Sequence, residues 1–308
     1  MDQKRVLVVG GTGFIGRHFC KRALDLGYTV SSLSLRPVVS AIPGVRHIVG
    51  DLTDLQSTRI ALSGGSYDYV VNGGGYIDHR LFRDGGRALI QAHFVGVQNL
   101  LDSLDRDSIV RFVQLGSSDE YGAALCPQKE SLREAPISPY SLANVATTHF
   151  LQMLWLTENF PSVTLRLFLA YGPGQDKGRF IPQLIMGCLE NRKFPVSEGK
   201  QVRDFCYIED VISGIMAALE SPEACGEVIN LSSGNPVTIR SIVEKVHCII
   251  GRGIPEYGKL PYRPGENMEL YADIEKASRI LNWQPATSIE QGLRKTIEFF
   301  QNDLSNSL

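Results

Sequence analysis

The sequence predicts an α/β protein in which a doubly wound parallel sheet is followed by a smaller mixed α/β lobe. Short β-branched runs alternate with longer helical patterns through the first 170 residues, which is typical of a parallel sheet covered by helices on both faces. A glycine triplet joins the first run to the first helical pattern, as in dinucleotide-binding sheets of the Rossmann type. Beyond residue 170 this alternation is lost, and Pro and Gly recur at short intervals.

Each predicted strand is a short apolar run, and each predicted helix is a longer segment with helical periodicity. The strands are expected at 6–9, 28–33, 46–49, 69–72, 109–115 and 163–168. Helices are expected at 17–26, about 86–104, about 139–158, 211–220 (with Asp210 as its N-cap) and 288–301. We therefore predict a dinucleotide-binding domain over 1–170, to which some later segments return, and a second lobe over 171–308.

Composition and charge exclude several classes of protein. The formal net charge of −2 over 308 residues argues against nucleic acid or a membrane surface as the main partner. The first apolar run, 6–9, is too short for a signal peptide, and no apolar stretch is long enough to span a bilayer. The six cysteines form no C-x-x-C pair. We expect them to be reduced and mostly buried in a cytoplasmic protein, without a metal site.

The segment 6–16, VLVVGGTGFIG, predicts a phosphate-binding turn. Its glycines let the backbone turn sharply and approach a pyrophosphate closely, and the following helix offers unpaired N–H groups at its positive end. A glycine triplet is specific only in this context, between a strand and a helix. The predicted cofactor-binding residues here are Gly10, Gly13, Phe14, Ile15 and Gly16.

Residues at the ends of the next strands are expected to hold the rest of a dinucleotide. The second strand ends in Ser34 and Arg36 and carries no carboxylate. A guanidinium pairs well with a 2′-phosphate, so NADP is modestly favoured over NAD, unless Arg36 is a solvated loop residue. Asp51 follows the third strand and either accepts from an adenine amino group or caps a helix. Leu52 and Gly73 are expected in the same pocket.

Two further motifs carry a family resemblance. Gly116-Ser117-Ser118-Asp119-Glu120-Tyr121-Gly122 follows the fifth strand, and Ser138-Pro139-Tyr140 begins a helix. With them the chain resembles the extended short-chain dehydrogenase/reductase family, in its nucleotide-sugar-modifying (NAD-dependent epimerase/dehydratase) branch. Nearly the whole chain is covered, through Tyr171-Gly-Pro173, Arg203-Asp-Phe-Cys-Tyr-Ile-Glu-Asp210, Arg263-Pro-Gly-Glu266 and Leu281-Asn-Trp-Gln-Pro285.

The resemblance implies a catalytic set. Tyr140 would exchange a proton with a substrate hydroxyl or carbonyl, and Ser117, with Ser118 as second candidate, would polarise the same oxygen. Asn144 stands where the family has lysine, whose charge helps a phenol act as a base at neutral pH. Asn144 can still donate to a cofactor ribose. It is either an engineered replacement, a natural one compensated by the oxidised nicotinamide or by His93, or the mark of a protein that turns over poorly.

Three other positions depart from the family pattern. His93 and Leu169 stand where relatives tend to have Asn. Asp119 and Glu120 resemble the Asp-Glu pair of sugar dehydratases, but Ser118 puts them one position out of step. We therefore expect dehydration to be a minor possibility and both carboxylates to be solvated loop residues or caps.

The resemblance also implies a nucleotide-diphosphate sugar as the second ligand. The expected substrate-binding residues are Arg179, Phe180, Val196, Arg203, Arg263 and Glu266, with the two arginines 203 and 263 on the diphosphate. The implied function is an NAD(P)-dependent oxidoreductase, a 4-dehydrogenase or 4-ketoreductase. A 4-epimerase with retained cofactor and a non-catalytic dinucleotide sensor are the alternatives. A homodimer is expected through the helices carrying Leu89, Phe94, Leu151 and Leu154, unless these residues are core.

Overall fold

The computed structural model describes residues 3–262 and 266–305. Its strands are β1 (Arg5–Val9), β2 (Thr29–Ser34), β3 (Val45–Val49), β4 (Tyr69–Asn72), β5 (Arg111–Ser117), β6 (Ser162–Leu167), β7 (Leu169–Tyr171), β8 (Lys193–Pro195), β9 (Val202–Tyr207), β10 (Val228–Leu231), β11 (Pro236–Thr238), β12 (Ile254–Glu256) and β13 (Glu269–Leu270). Its helices are α1 (Phe14–Asp25), α2 (Leu55–Leu62), α3 (Arg87–Ile90), α4 (Gly96–Leu101), α5 (Pro139–Glu158), α6 (Phe180–Leu189), α7 (Ile208–Glu220), α8 (Ile239–Ile250), α9 (Glu275–Leu281) and α10 (Ile289–Ser305).

The main sheet has seven parallel strands in the order β10-β6-β5-β4-β1-β2-β3. The strand order reverses between β1 and β4, and ligands of such sheets bind beyond the carboxyl ends of the strands at this switch. The predicted fold class, a doubly wound parallel sheet of the Rossmann type, is confirmed. The six predicted strands are all present.

Alternate residues of β1 build two separate cores. Val6 and Val8 belong to the core that includes α1 and α7, whereas Leu7 and Val9 belong to the core that includes α2, α4 and α5. Successive side chains of a strand point to opposite faces. Because both faces are covered, the strand is apolar and buried at every position from Val6 to Val9.

Two helix predictions are wrong in detail. The helix expected over 86–104 is α3 and α4 joined by a π-helical turn, Gln91–Val95, which contains His93. Helix α7 begins at Ile208, so Asp210 lies in its first turn and is not its N-cap. The Asp210 carboxylate instead accepts hydrogen bonds from the backbone N–H groups of Ala286 (3.1 Å) and Thr287 (3.0 Å), just before α10.

The second lobe is built around β9. This strand pairs with β7 and β13 in parallel and with β11 in antiparallel orientation, and β8 pairs with β12 elsewhere in the lobe. Segments α7 and β10 return to the main sheet, where β10 pairs with β6 and α7 packs against α1. Within 3–262 and 266–305, no helix is long and apolar enough to cross a bilayer. All six cysteines are free thiols, of which Cys20, Cys188 and Cys206 are buried and Cys248 is exposed.

Candidate active site

The glycine turn at the end of β1 is closely packed against the neighbouring strand ends. Gly10 has φ +76°, and a Cβ placed on it would lie 2.7 Å from the Gly73 carbonyl oxygen. A Cβ on Gly16 would lie 2.2 Å from the Gly10 carbonyl oxygen. Side chains are therefore excluded at Gly10 and Gly16, as a dinucleotide pyrophosphate requires.

Helix α1 begins directly after this turn, and its first N–H groups are those of Phe14, Ile15 and Gly16. Its N-cap, Gly13, has no side chain that could accept from them. The first N–H groups of a helix have no partner within the helix and form an anion-binding end. The turn and the start of α1 therefore fit a phosphate group.

The expected adenosine-binding residues lie at the ends of β2 and β3. The Ser34 hydroxyl is buried and donates to the Arg36 carbonyl oxygen (2.9 Å), while the Arg36 side chain is exposed. One Asp51 carboxylate oxygen accepts from the Thr53 N–H (2.8 Å) and hydroxyl (2.7 Å). The alternative of Asp51 as a helix cap is wrong, because Asp54 caps α2 by accepting from the Ser57 N–H. The half-buried Leu52 packs against the core that includes α2, α4 and α5.

Tyr140 and Ser117 meet at the carboxyl edge of the sheet. Ser117 is the last residue of β5, and Tyr140 is the second residue of α5, which Ser138 caps by accepting from the Ser141 N–H (3.1 Å). Burial raises the pKa of Tyr140 to about 12, and hydrogen bonding from Ser117 partly opposes this rise. The phenol is therefore protonated at neutral pH. Ser118, the second candidate, is buried in the turn after Ser117.

Asn144 and His93 are both buried beside Tyr140. The Asn144 amide donates one of its two N–H groups to the Tyr140 carbonyl oxygen (2.9 Å) within α5. The His93 ring stands edge-to-face to the Tyr140 ring at 5.0 Å, and its Nε2 atom is 2.9 Å from the Tyr76 carbonyl oxygen. Burial lowers the pKa of His93. His93 is therefore neutral near pH 7, and the alternative in which His93 compensates for the missing lysine charge is wrong.

The sequence interpretation missed His79. This residue lies on the segment after β4, and its Nε2 atom is 2.7 Å from an Asp119 carboxylate oxygen. Its ring lies 5.8 Å from the Tyr140 ring, at an interplanar angle of 69°. The predicted polar site residues follow the first, second, third and fifth strands. The same rule applied to the fourth strand would have included His79.

Of the two alternatives expected for Glu120, a solvated loop residue or a cap, the structure confirms the cap, because Glu120 and Ser117 form a capping box. Its carboxylate is fully buried and accepts from the Ser117 N–H (3.0 Å), the Thr148 hydroxyl (2.9 Å) and the Arg166 guanidinium (2.8 Å). Arg166 is equally buried and also donates to Glu134 (2.7 Å). Glu120 thus holds the Ser117 backbone in place and has no free oxygen for substrate chemistry.

The expected substrate-binding residues lie in the second lobe. Arg203 pairs with Glu266 at 2.5 Å, so these two residues neutralise each other. Arg179 is exposed at the start of α6, and its charge reaches Tyr140, where it lowers the pKa of the phenol. Phe180 stacks on Phe205, with ring centroids 6.2 Å apart. Val196 is buried beside the β8 end, and Arg263 lies outside the described residues.

A glycine turn, an uncapped helix start and a Ser–Tyr pair lie at one edge of the sheet, which is the arrangement of a dinucleotide-binding α/β fold. The NAD dependent epimerase/dehydratase family model matches residues 6–232, and the chain belongs to this family. The resemblance to the nucleotide-sugar branch of the extended short-chain dehydrogenases/reductases is thereby confirmed.

Similar proteins cover almost the whole chain. A Bacillus subtilis protein described as an uncharacterized UDP-glucose epimerase is 28% identical over 97% of this chain and 98% of its own length. A dTDP-glucose 4,6-dehydratase of Xanthomonas campestris is 27% identical over 96% of this chain and 92% of its own. The structure of UDP-glucuronic acid 4-epimerase from Bacillus cereus, in complex with UDP-glucuronic acid and NAD, superposes with a TM-score of 0.84 at 27% identity, covering 97% of this chain and 99% of that one.

Proposed function

We propose that the protein is an enzyme that uses a nicotinamide dinucleotide to transfer a hydride at C4 of a nucleotide-activated sugar. The observation that carries this proposal is the Tyr140 phenol beside the Ser117 hydroxyl, at the sheet edge that also holds the glycine turn. The turn and the start of α1 would hold the pyrophosphate. The bound dinucleotide supplies the hydride acceptor. Tyr140 exchanges the proton of the sugar oxygen, and Ser117 donates a hydrogen bond to that oxygen.

For the overall reaction we propose 4-epimerisation, in which the cofactor is retained and the hydride returns to the opposite face of the sugar. The names of relatives similar to this chain over most of its length support this choice. Net 4-keto reduction is the second candidate. It is favoured by the protonated state of Tyr140, because burial raises the pKa of the phenol to about 12 and a protonated phenol can donate to a ketone oxygen.

Dehydration and a non-catalytic sensor are less well supported. The dehydratase relatives favour dehydration, but Glu120 is fully engaged by Arg166, Thr148 and the Ser117 backbone. A carboxylate in that position is not free to move a substrate proton. The sensor alternative is supported by Asn144 alone, and an active wild-type protein would exclude it.

For the cofactor we propose NAD, although Arg36 and Ser34 predict a modest preference for NADP. The Ser34 hydrogen is donated to the Arg36 carbonyl oxygen, so its oxygen offers lone pairs only. Lone pairs suit a ribose 2′-hydroxyl, which can donate, and do not suit a phosphate oxygen, which cannot. Dissociation constants for the two cofactors test this. A preference of tenfold or more for NADP, about 1.4 kcal/mol, would restore the role of Arg36.

For the sugar nucleotide we propose binding by Arg179, Arg203 and Arg263, with Phe180, Val196 and Glu266 around them. Arg203 must exchange its Glu266 partner for a phosphate oxygen. We further propose that the protein is cytoplasmic and dimeric. Of the residues named for the dimer contact, Leu89, Leu151 and Leu154 are core residues, whereas Phe94 is half-buried and packs edge-on against Phe150 of α5. A contact on α5 must therefore use the exposed residues of that helix.

The test is incubation of the protein and NAD with UDP-glucose, UDP-glucuronic acid and dTDP-glucose, followed by nuclear magnetic resonance of the products. An epimerase gives the C4 epimer without a stoichiometric change in nicotinamide absorbance, whereas a reductase or dehydrogenase changes that absorbance. Tyr140→Phe should abolish either reaction while retaining NAD binding. If the wild-type protein binds NAD and converts no sugar nucleotide, the proposal is wrong.

A further inference from the structure

The phenol of the proposed active site has a histidine–carboxylate pair packed against it. His79 lies edge-on to Tyr140, with ring centroids 5.8 Å apart, and its Nε2 atom is 2.7 Å from the Asp119 carboxylate. His79 and Asp119 come from different segments, the loop after β4 and the turn after β5. Both segments begin at the carboxyl edge of the sheet, where β4 and β5 end, so the fold brings the His79–Asp119 pair to the site.

The other groups around Tyr140 do not replace the missing lysine. Asn144 is uncharged and donates to the Tyr140 carbonyl oxygen. His93 is buried against the Tyr76 backbone, and burial lowers its pKa. Asp119 and Glu120 are negative groups that both raise the pKa of the phenol, Asp119 more than Glu120. Glu120 is engaged by Arg166.

Two further charged groups lie near this pair. Arg179 acts on Tyr140 from the start of α6 and lowers the pKa of the phenol, but its side chain is exposed and screened by water. Asp78, next to His79, is paired with Arg80 (2.8 Å). His79 is therefore the ionisable side chain that combines contact with the phenol ring and a carboxylate partner of its own.

We propose that the His79–Asp119 pair performs for Tyr140 the task that lysine performs in relatives. As the Tyr140 oxygen releases its proton, the His79 imidazole takes up one proton, and the Asp119 carboxylate stabilises the imidazolium. A carboxylate that orients an imidazole and stabilises its cation is an established catalytic arrangement. One proton moves from oxygen to nitrogen, and nothing is oxidised or reduced. The Tyr140 oxygen can then accept the proton of the sugar hydroxyl.

His79 acts through Tyr140 and is therefore a positioning residue. This inference rests on the proposed function and predicts a characteristic pH profile. In the wild type, kcat/KM for the sugar nucleotide should be flat at neutral pH and fall only where the imidazole becomes protonated. In His79→Gln, activity requires direct ionisation of Tyr140, whose pKa burial raises to about 12. The rate should then be up to about 10⁴-fold lower at pH 8, because only about one phenol in 10⁴ is ionised there, and rise about tenfold per pH unit towards alkaline pH.

The experiment compares pH–rate profiles of the wild type, His79→Gln, Asn144→Lys and the double variant, with NAD and the sugar nucleotide turned over by the wild type. Asn144→Lys returns a fixed positive charge to the site. The increase in kcat/KM caused by Asn144→Lys should be at least tenfold larger in the His79→Gln background than in the wild type. His149→Gln is the matched control, because His149 also pairs with a carboxylate, that of Glu134 at 3.4 Å, on the surface of the same helix as Tyr140. It should keep the wild-type profile.

A second measurement does not depend on activity. Tyrosine is labelled with ¹³C at the ζ carbon, and the Tyr140 signal is assigned by its absence in Tyr140→Phe. The signal should shift at the protonation midpoint of His79 in the wild type and lose this shift in His79→Gln.

The outcomes separate this inference from the proposed function. An inactive wild type overturns the proposed function and this inference with it. If the wild type is active, any one of three results overturns this inference and leaves the proposed function standing. These results are that His79→Gln keeps the wild-type pH profile, that it loses rate equally at every pH, or that the ¹³C signal of Tyr140 is the same in the wild type and in His79→Gln.

Discussion

The buried Arg166–Glu120 ion pair offers the sharpest stability prediction. Both side chains are fully buried, with Arg166 Nε 2.8 Å from Glu120. Arg166 also donates to Glu134 at 2.7 Å and lies 4.5 Å above the Tyr121 ring. Arg166→Met keeps much of the side-chain volume but leaves the Glu120 charge without its buried partner. Removing one member of a buried pair costs about 3–5 kcal/mol, which is the expected loss in the free energy of unfolding.

The assay is equilibrium unfolding in urea at pH 7.5, with the free energy compared at unchanged m-value. Arg294→Met is the matched control, because Arg294 makes an exposed pair with Glu290 at 2.8 Å on α10. Exposed helix pairs contribute about 0.3–0.5 kcal/mol. If Arg166→Met costs no more than this control, the buried pair does not stabilise the fold as we reason.

The pH dependence of this loss has a defined sign. Burial raises the pKa of Glu134, but hydrogen bonds to Arg166 and to the backbone, together with the positive charge of Arg166, outweigh burial and lower the pKa of that carboxyl below its ordinary value. A carboxyl with a depressed folded-state pKa stabilises the protein above its unfolded pKa, and this contribution is lost as the pH falls through the folded value. Wild type and Arg166→Met differ in their free energy of unfolding, and the contribution of Glu134 to this difference should therefore shrink below about pH 4. A contribution of Glu134 to this free-energy difference that grows as the pH falls would contradict this assignment.

Three further predictions concern the turn, the second lobe and assembly. Gly10→Ala should weaken NAD binding at least tenfold in a fluorescence titration. Residue 10 has φ +76°, and the new Cβ would lie 2.7 Å from the Gly73 carbonyl oxygen. An unchanged affinity for NAD would contradict the role of this turn in binding. Asp204→Ala should lower the melting temperature and cost about 2–4 kcal/mol, because this buried carboxylate accepts from the Ser233 and Gly234 N–H groups; a loss below about 1 kcal/mol would contradict it. Leu156→Glu, at a side chain 80% exposed on α5, should convert the expected dimer to a monomer in light scattering, and a dimer that persists would exclude that contact.

Local signals predicted much of the fold. Strand β1 contains the apolar run Val6–Val9, and β4 contains the run Tyr69–Val71. Helix α5 has the predicted bounds because Ser138 and Pro139 begin it and Asn159 ends it in the left-handed conformation. The glycine turn was equally readable, since only glycine fits where Gly10 meets the neighbouring strand end. In each case the cause lies within a few residues of the feature.

Features that depend on distant partners were not predicted. Glu120 and Arg166 are 46 residues apart and meet only because β5 and β6 are neighbours in the sheet. His79 gains its role from Asp119, 40 residues later. The π-helical turn at His93 was missed for another reason. One extra residue in a helical turn changes the apolar pattern too little to be seen in a single sequence.

The return of β10 to the main sheet has a consequence for dissecting this protein. A fragment that stops at residue 170 would leave β6 as an unpaired edge and strip α7 from the face that it shares with α1. We expect such a fragment to aggregate, because an open strand edge invites pairing with other chains. A chimera that exchanges the substrate lobe with a relative should therefore keep residues 208–231 together with the amino-terminal half.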